Sequence, residues 1–144
     1  MPVPASEQTE LVRHALSGRV LALGIALAGA LGALSRWGLG QFFETLAGGR
    51  YPWGTLAANL IGCFMLGLVM EAGARSHWMS GPVRLILSVG FIGALTTFST
   101  WEFETLHMAR GGDVLLAAGN FAVNVFFGFL LLWAGARLAA VWMP

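Results

Sequence analysis

The sequence predicts an all-α membrane protein of four transmembrane helices, the third of them broken near mid-membrane. Three observations carry that expectation. Of the 144 residues, 57% are hydrophobic and 10% charged, whereas a soluble domain carries about a quarter charged residues. Four apolar stretches meet or approach the roughly 20 residues that a helix needs to cross a bilayer core. The third stretch is interrupted by the polar run Thr96-Thr97-Phe98-Ser99-Thr100.

The spans are expected over Val20 to Leu39, Trp53 to Gly73, Pro82 to Met108 and Val114 to Trp142. Residues 20–142 then form one transmembrane domain, behind a short N-terminal segment of residues 1–19. That segment carries Glu7, Glu10 and Arg13 and reads as interfacial or frayed. A cleaved signal peptide is disfavoured, because the first span bears a packing stripe that cleavage would waste. The stripe is Gly24, Ala28 and Gly32, whose spacing lets another helix backbone approach closely, within the subunit or across a dimer. Turn chemistry marks the connections at residues 47–52, 75–81 and 110–113. Ser80 and Pro82 suit the N-cap and first turn of the third span, and Asp113 suits the N-cap of the fourth.

Charge excludes several function classes. All eight basic residues are arginine and the net charge is +1, which offers no footprint for nucleic acid. The single cysteine, Cys63, lies in an apolar run and reads as packing. An even number of spans places both termini on one side. That side receives Arg13, Arg19, Arg75, Arg84 and Arg137, against Arg36, Arg50 and Arg110 on the other. The bias is weak enough to permit insertion in either orientation. His14, His77 and His107 fall in separate end or loop regions. No nucleophile pairs with a base, so an enzyme is disfavoured.

Polar residues inside the membrane either join helices or mark a pathway. Thr55 and Asn59 share one face of the second span, and Asn120, Asn124 and Gly128 share one face of the fourth. In the third span, Gly90, Gly93 and four hydroxyl residues weaken the helix. The alternatives are an unbroken helix whose hydroxyls bond back to their own carbonyls, and a break that presents carbonyls to cations and N–H groups or hydroxyls to anions. Phe98 and Trp101, three apart, are packing residues or ring edges facing an anion, and the Trp101 indole N–H is a donor an anion would accept. Arg36, near the end of the first span, snorkels to the interface or sets a positive potential at a pore mouth. Glu104 is expected to be buried and partnered, with Glu102 pointing elsewhere.

In order along the chain, Gly32-Ala33-Leu34-Ser35-Arg36-Trp37, Gly54-Thr55 with Asn59 and Gly62, Gly90 to Thr100 followed by Glu104, and the Asn-bearing fourth span resemble the bacterial fluoride channels of the Fluc or CrcB family. The resemblance implies a four-helix subunit in the bacterial cytoplasmic membrane, assembled as an antiparallel, dual-topology homodimer with two fluoride pathways. It assigns Asn59, Phe98, Ser99 and Thr100 to the pathway, with Trp101 at a ring position usually held by phenylalanine. Asn120 and Asn124 take fourth-span polar positions, Thr55 and Glu104 join the same path, and Arg36 lies in the vestibule. Backbone carbonyls of Gly93 and Thr96 are implied to hold a central structural sodium ion. Two rivals remain: a proton-coupled exporter of the small multidrug resistance type, and a non-transporting assembly subunit. The absence of an acidic residue between Val20 and Leu34 argues against the exporter.

Overall fold

The computed structural model describes residues 5–49, 51–75, 79 and 81–142, with side chains from residue 17 onward. Arg13, His14, Arg50, His77 and Ser80, named above, lie outside the described side chains. Four helical stretches are long and apolar enough to cross a membrane: Ser17–Ala47, Trp53–Arg75, Gly81–Arg110 and Val114–Trp142. The protein is thus all-helical and capable of crossing a bilayer four times. The second and fourth spans coincide closely with the hydropathic expectation. The first helix is longer, running from Ala5 to Ala47, because helical backbone continues into polar sequence where hydropathy no longer marks it.

Glycines shape the connections. Gly48 and Gly49 (φ 64° and 51°) end the first helix, and Gly112 (φ 92°) follows the third, left-handed positions that favour glycine. Pro82 lies in the first turn of Gly81–Leu85. Asp113 takes the N-cap position of the fourth span, its backbone carbonyl accepting from the Ala117 N–H at 3.0 Å.

The second and fourth spans share the most extensive contact, and the first packs chiefly on the third. Small residues set both approaches. A Cβ on Gly67 would strike the Leu132 carbonyl, and one on Gly135 the Phe64 carbonyl. Gly24 lies against Ile86, Gly32 against Phe91 and Ala94, and Ala28 against Gly90. The stripe on the first span is therefore used inside the subunit, while Leu23, Leu27, Leu31 and Leu34 of the same helix are exposed.

The third span is not a uniform helix. A turn of α-helix, Gly81–Leu85, passes into a π-helical stretch over Ile86–Ile92, then into Gly93–Leu95. Thr96 (φ −79°, ψ 155°) and Thr97 (φ −149°, ψ 120°) are extended, and α-helix resumes at Phe98 and runs to Arg110. The break is thus shorter than the polar run: Ser99 and Thr100 are helical.

Candidate functional site

The break exposes backbone groups that lipid cannot satisfy. Thr97 N–H donates to Asn59 Oδ1 at 2.8 Å, and Asn59 Nδ2 donates to the Thr97 carbonyl at 3.2 Å. One carboxamide thereby supplies the partner that the Thr97 N–H lacks and adds a second donor to its carbonyl, which as the N-cap carbonyl already accepts the first bond of the resuming helix. Asn59 reaches Thr97 because Gly62, one turn further along the second span, has no side chain; a Cβ there would collide with the Thr96 methyl. The Thr97 hydroxyl caps the resuming helix, accepting from Thr100 N–H at 3.3 Å and donating to Thr100 Oγ1 at 2.9 Å. Thr97 was not among the expected site residues, although a threonine just ahead of a helical run is an N-cap signal that sequence carries.

From Asn59 a ladder of amides continues into the fourth span. Asn59 Nδ2 also donates to Asn124 Oδ1 (3.1 Å), and Asn124 Nδ2 donates to Asn120 Oδ1 (3.1 Å) and to the Asn120 carbonyl (3.0 Å). Asn120 Nδ2 donates to Thr105 Oγ1 (2.7 Å), whose own hydroxyl donates to the Trp101 carbonyl (2.7 Å). Asn120 is 0% exposed, and Tyr51, from the first connection, donates its hydroxyl to Asn120 Oδ1 at 2.9 Å. Tyr51 also went unassigned from sequence, where a tyrosine between Arg50 and Pro52 reads only as part of a turn.

The aromatic residues are layered beside this ladder. Trp101 is buried between Phe98 and Phe121, with centroid distances of 5.4 Å to each and interplanar angles of 59° and 26°. Its indole N–H donates to the Asn120 carbonyl at 3.4 Å. The donor expected to face an anion is engaged within the subunit. Phe98, by contrast, is 67% exposed, and Ser99 and Thr100 beside it are exposed as well.

Two open cavities flank the network. One, about 390 Å³, is lined by Asn59, Thr96, Thr97, Phe98, Trp101 and Asn124, together with Gly93 and Cys63. The other, about 400 Å³, is lined by Tyr51, Thr55, Glu104, His107, Gln41 and Glu44 among others. Thr55 donates to Glu104 Oε1 at 2.8 Å, while the buried Oε2 has no partner among the described residues. Glu102 is exposed, as expected. The structure therefore gathers Asn59, Phe98, Trp101 and Asn124 at one cavity and Thr55 and Glu104 at the other, with buried Asn120 between them. Arg36 is half-buried on the first helix and belongs to neither cavity lining.

The break also frees carbonyls. The Gly93 carbonyl loses its usual partner four residues on, because Thr97 N–H turns to Asn59; the Thr96 carbonyl loses Thr100 N–H to the Thr97 hydroxyl.

Fold and site together define a multi-pass membrane protein whose third span is opened by a polar break and closed again by an asparagine from the second. A family model described as "CrcB-like protein, Camphor Resistance (CrcB)" matches residues 23–136, and the chain belongs to that family. A Dehalococcoides mccartyi protein named "Fluoride-specific ion channel FluC" is 42% identical over 124 residues, covering 86% of this chain and 94% of that protein. Proteins of the same name from Geobacter sulfurreducens and Citrifermentans bemidjiense are 43% identical over 117 residues and 44% over 115. These alignments cover 81% and 80% of this chain, and 94% and 93% of the relatives.

Proposed function

We propose that this protein is a fluoride-selective channel that releases fluoride passively across the bacterial cytoplasmic membrane, acting as an antiparallel, dual-topology homodimer. The observation that carries the reading is the polar break, joined to a ladder of three asparagines inside otherwise apolar spans, in a chain whose relatives are named fluoride-specific channels. Fluoride is small and strongly hydrated. A path through lipid must replace its water with donors, and binding at each site must be weak enough for the ion to leave. Amides whose N–H groups are shared with protein acceptors meet that requirement. An arriving anion competes for a donor already paired within the protein and is released when the internal bond re-forms. The hydroxyls of Ser99 and Thr100 and the edge of Phe98 extend the track without a fixed charge.

The subunit surface supports assembly. Gly93, Phe98, Ser99 and Thr100 are exposed on the single subunit, and polar groups facing hydrocarbon are costly. A second copy is the cover that the reading assigns to them. Replacing Phe98 with isoleucine keeps an apolar side chain but removes the ring edge. Fluoride efflux from liposomes should fall at least about tenfold while the dimer elutes as before. Unchanged efflux would reduce Phe98 to a packing residue.

The freed carbonyls of Gly93 and Thr96 fit a sodium ion, a hard cation that takes oxygen ligands, and two subunits would supply four such oxygens. When bound, the ion would hold the two breaks together by charge–dipole attraction. Protein purified and reconstituted without sodium, after unfolding and refolding to release a trapped ion, should lose dimer or flux. Full assembly and flux under those conditions would remove the ion from the account.

A further inference from the structure

Tyr51 is the only tyrosine in the chain. It lies ahead of the second span, outside the membrane-crossing segments, yet its hydroxyl reaches an asparagine 69 positions away that has no solvent exposure. Asn120 Oδ1 accepts both this hydroxyl and Asn124 Nδ2. A carbonyl oxygen has two lone pairs, so the two donors fill it. Tyr51 also lines the cavity that contains Thr55 and Glu104. The phenol therefore stands between that cavity and the buried end of the amide ladder. Burial pushes its pKa up from the ordinary tyrosine value, which keeps it protonated, and a donor, at neutral pH.

The orientation of Asn120 follows from its partners. Thr105 commits its hydroxyl proton to the Trp101 carbonyl, so it accepts from Asn120 Nδ2. Asn120 Oδ1 must then face Asn124 and Tyr51. At the other end, Thr97 N–H fixes Asn59 with its Oδ1 toward the break. Every ladder amide consequently points its donor toward the Thr105 end, and the ladder's last acceptor oxygen lies on the Tyr51 side. Left bare, that oxygen would offer an unpaired lone pair behind the phenol, which lines both the cavity shared with Glu44 and Glu104 and a second one, of about 750 Å³, shared with Trp53 and Asp113, and a lone pair repels an anion.

We propose that Tyr51 is a positioning residue of the anion path: its hydroxyl covers the Asn120 acceptor oxygen and holds the outer end of the amide ladder. This inference rests on the fluoride-channel reading. Removing the hydroxyl leaves the Asn120 bonds to Thr105 and Asn124 in place, so the fold survives while the anion meets an open acceptor.

The test is Tyr51→Phe, which keeps the ring. Fluoride efflux from liposomes should fall about tenfold, the size of one neutral hydrogen bond, with dimer elution unchanged. In an Asn120→Leu background the same substitution should have no further effect. Because the chain has one tyrosine, ultraviolet resonance Raman reads its hydroxyl directly. The phenol signal should show a donating hydroxyl in the wild type and should change in Asn120→Leu, even where that variant passes too little fluoride to measure. Wild-type efflux in Tyr51→Phe, an equal loss in both backgrounds, or a phenol signal indifferent to Asn120→Leu would each overturn the proposal. A wild-type protein that passes no fluoride would overturn the channel reading and this inference with it. A conducting wild type matched by Tyr51→Phe would overturn this inference alone.

Discussion

Replacing Asn59 with leucine is expected to abolish fluoride efflux and, at the same time, to lower the thermal stability of the subunit. The two effects share one cause. Asn59 holds both the N–H and the C=O of Thr97 and begins the ladder to Asn124. Leucine has similar bulk but no donor or acceptor, so it leaves the Thr97 N–H and the Asn124 side-chain oxygen without their partners. Each such group costs about 1–3 kcal/mol, and lipid offers no water to replace the loss. A pore asparagine that met only the ion would behave differently: its removal would slow efflux and leave the melting temperature alone. Efflux assays run beside thermal melts in detergent separate the two cases. A leucine variant that conducts normally, or one that fails to conduct but melts like the wild type, would contradict the role assigned to Asn59.

The second large effect is structural. Gly67→Val and Gly135→Val should each prevent formation of the folded subunit, because the added side chain meets the backbone of the facing helix: Leu132 in one case and Phe64 in the other. A flexible side chain can move aside, but a helix backbone moves only by separating the second and fourth spans, the pair with the most extensive contact. Overpacking costs typically about 1–3 kcal/mol, and a collision with main chain belongs at or above the top of that range. Separation of the spans would also draw Asn59 away from Asn124. Gly119→Ala is the control, since a Cβ there meets nothing within 4 Å. Size-exclusion profiles in detergent should show aggregate or no protein for the two valine variants and a normal peak for Gly119→Ala. Normal peaks for all three would mean that the spans are not held as closely as described.

Much of this architecture is legible in the amino-acid order, because lipid imposes a simple rule on composition. The spans could be placed from hydropathy, and the trouble in the third from its glycines and hydroxyls. Other parts could not be read that way. The polar run does not say that the chain is extended only at Thr96 and Thr97, since Ser99 and Thr100 are equally compatible with a helix once Thr97 caps it. Spacing shows that Asn120 and Asn124 share a face, but not that Asn59, in another span, joins them. That contact depends on Gly67 and Gly135 letting the second and fourth spans close on each other. Trp101 has a donor in any reading; that the donor is engaged by a fourth-span carbonyl follows only from how the third and fourth spans pack. Tyr51 is the clearest omission. Its chemistry is ordinary for a turn, and its place at the end of the ladder is a tertiary fact without local signal. The stripe on the first span was legible as packing, whereas its partner, the third span of the same subunit, was not.

The central claim is that the broken span and its amide ladder conduct fluoride and exclude larger anions. Liposomes containing the purified wild-type protein, loaded with fluoride or with chloride under the same imposed potential, test it most directly. The account predicts that fluoride leaves rapidly while chloride is retained at the level of protein-free liposomes. Fluoride retention, or chloride efflux at a comparable rate, would contradict it.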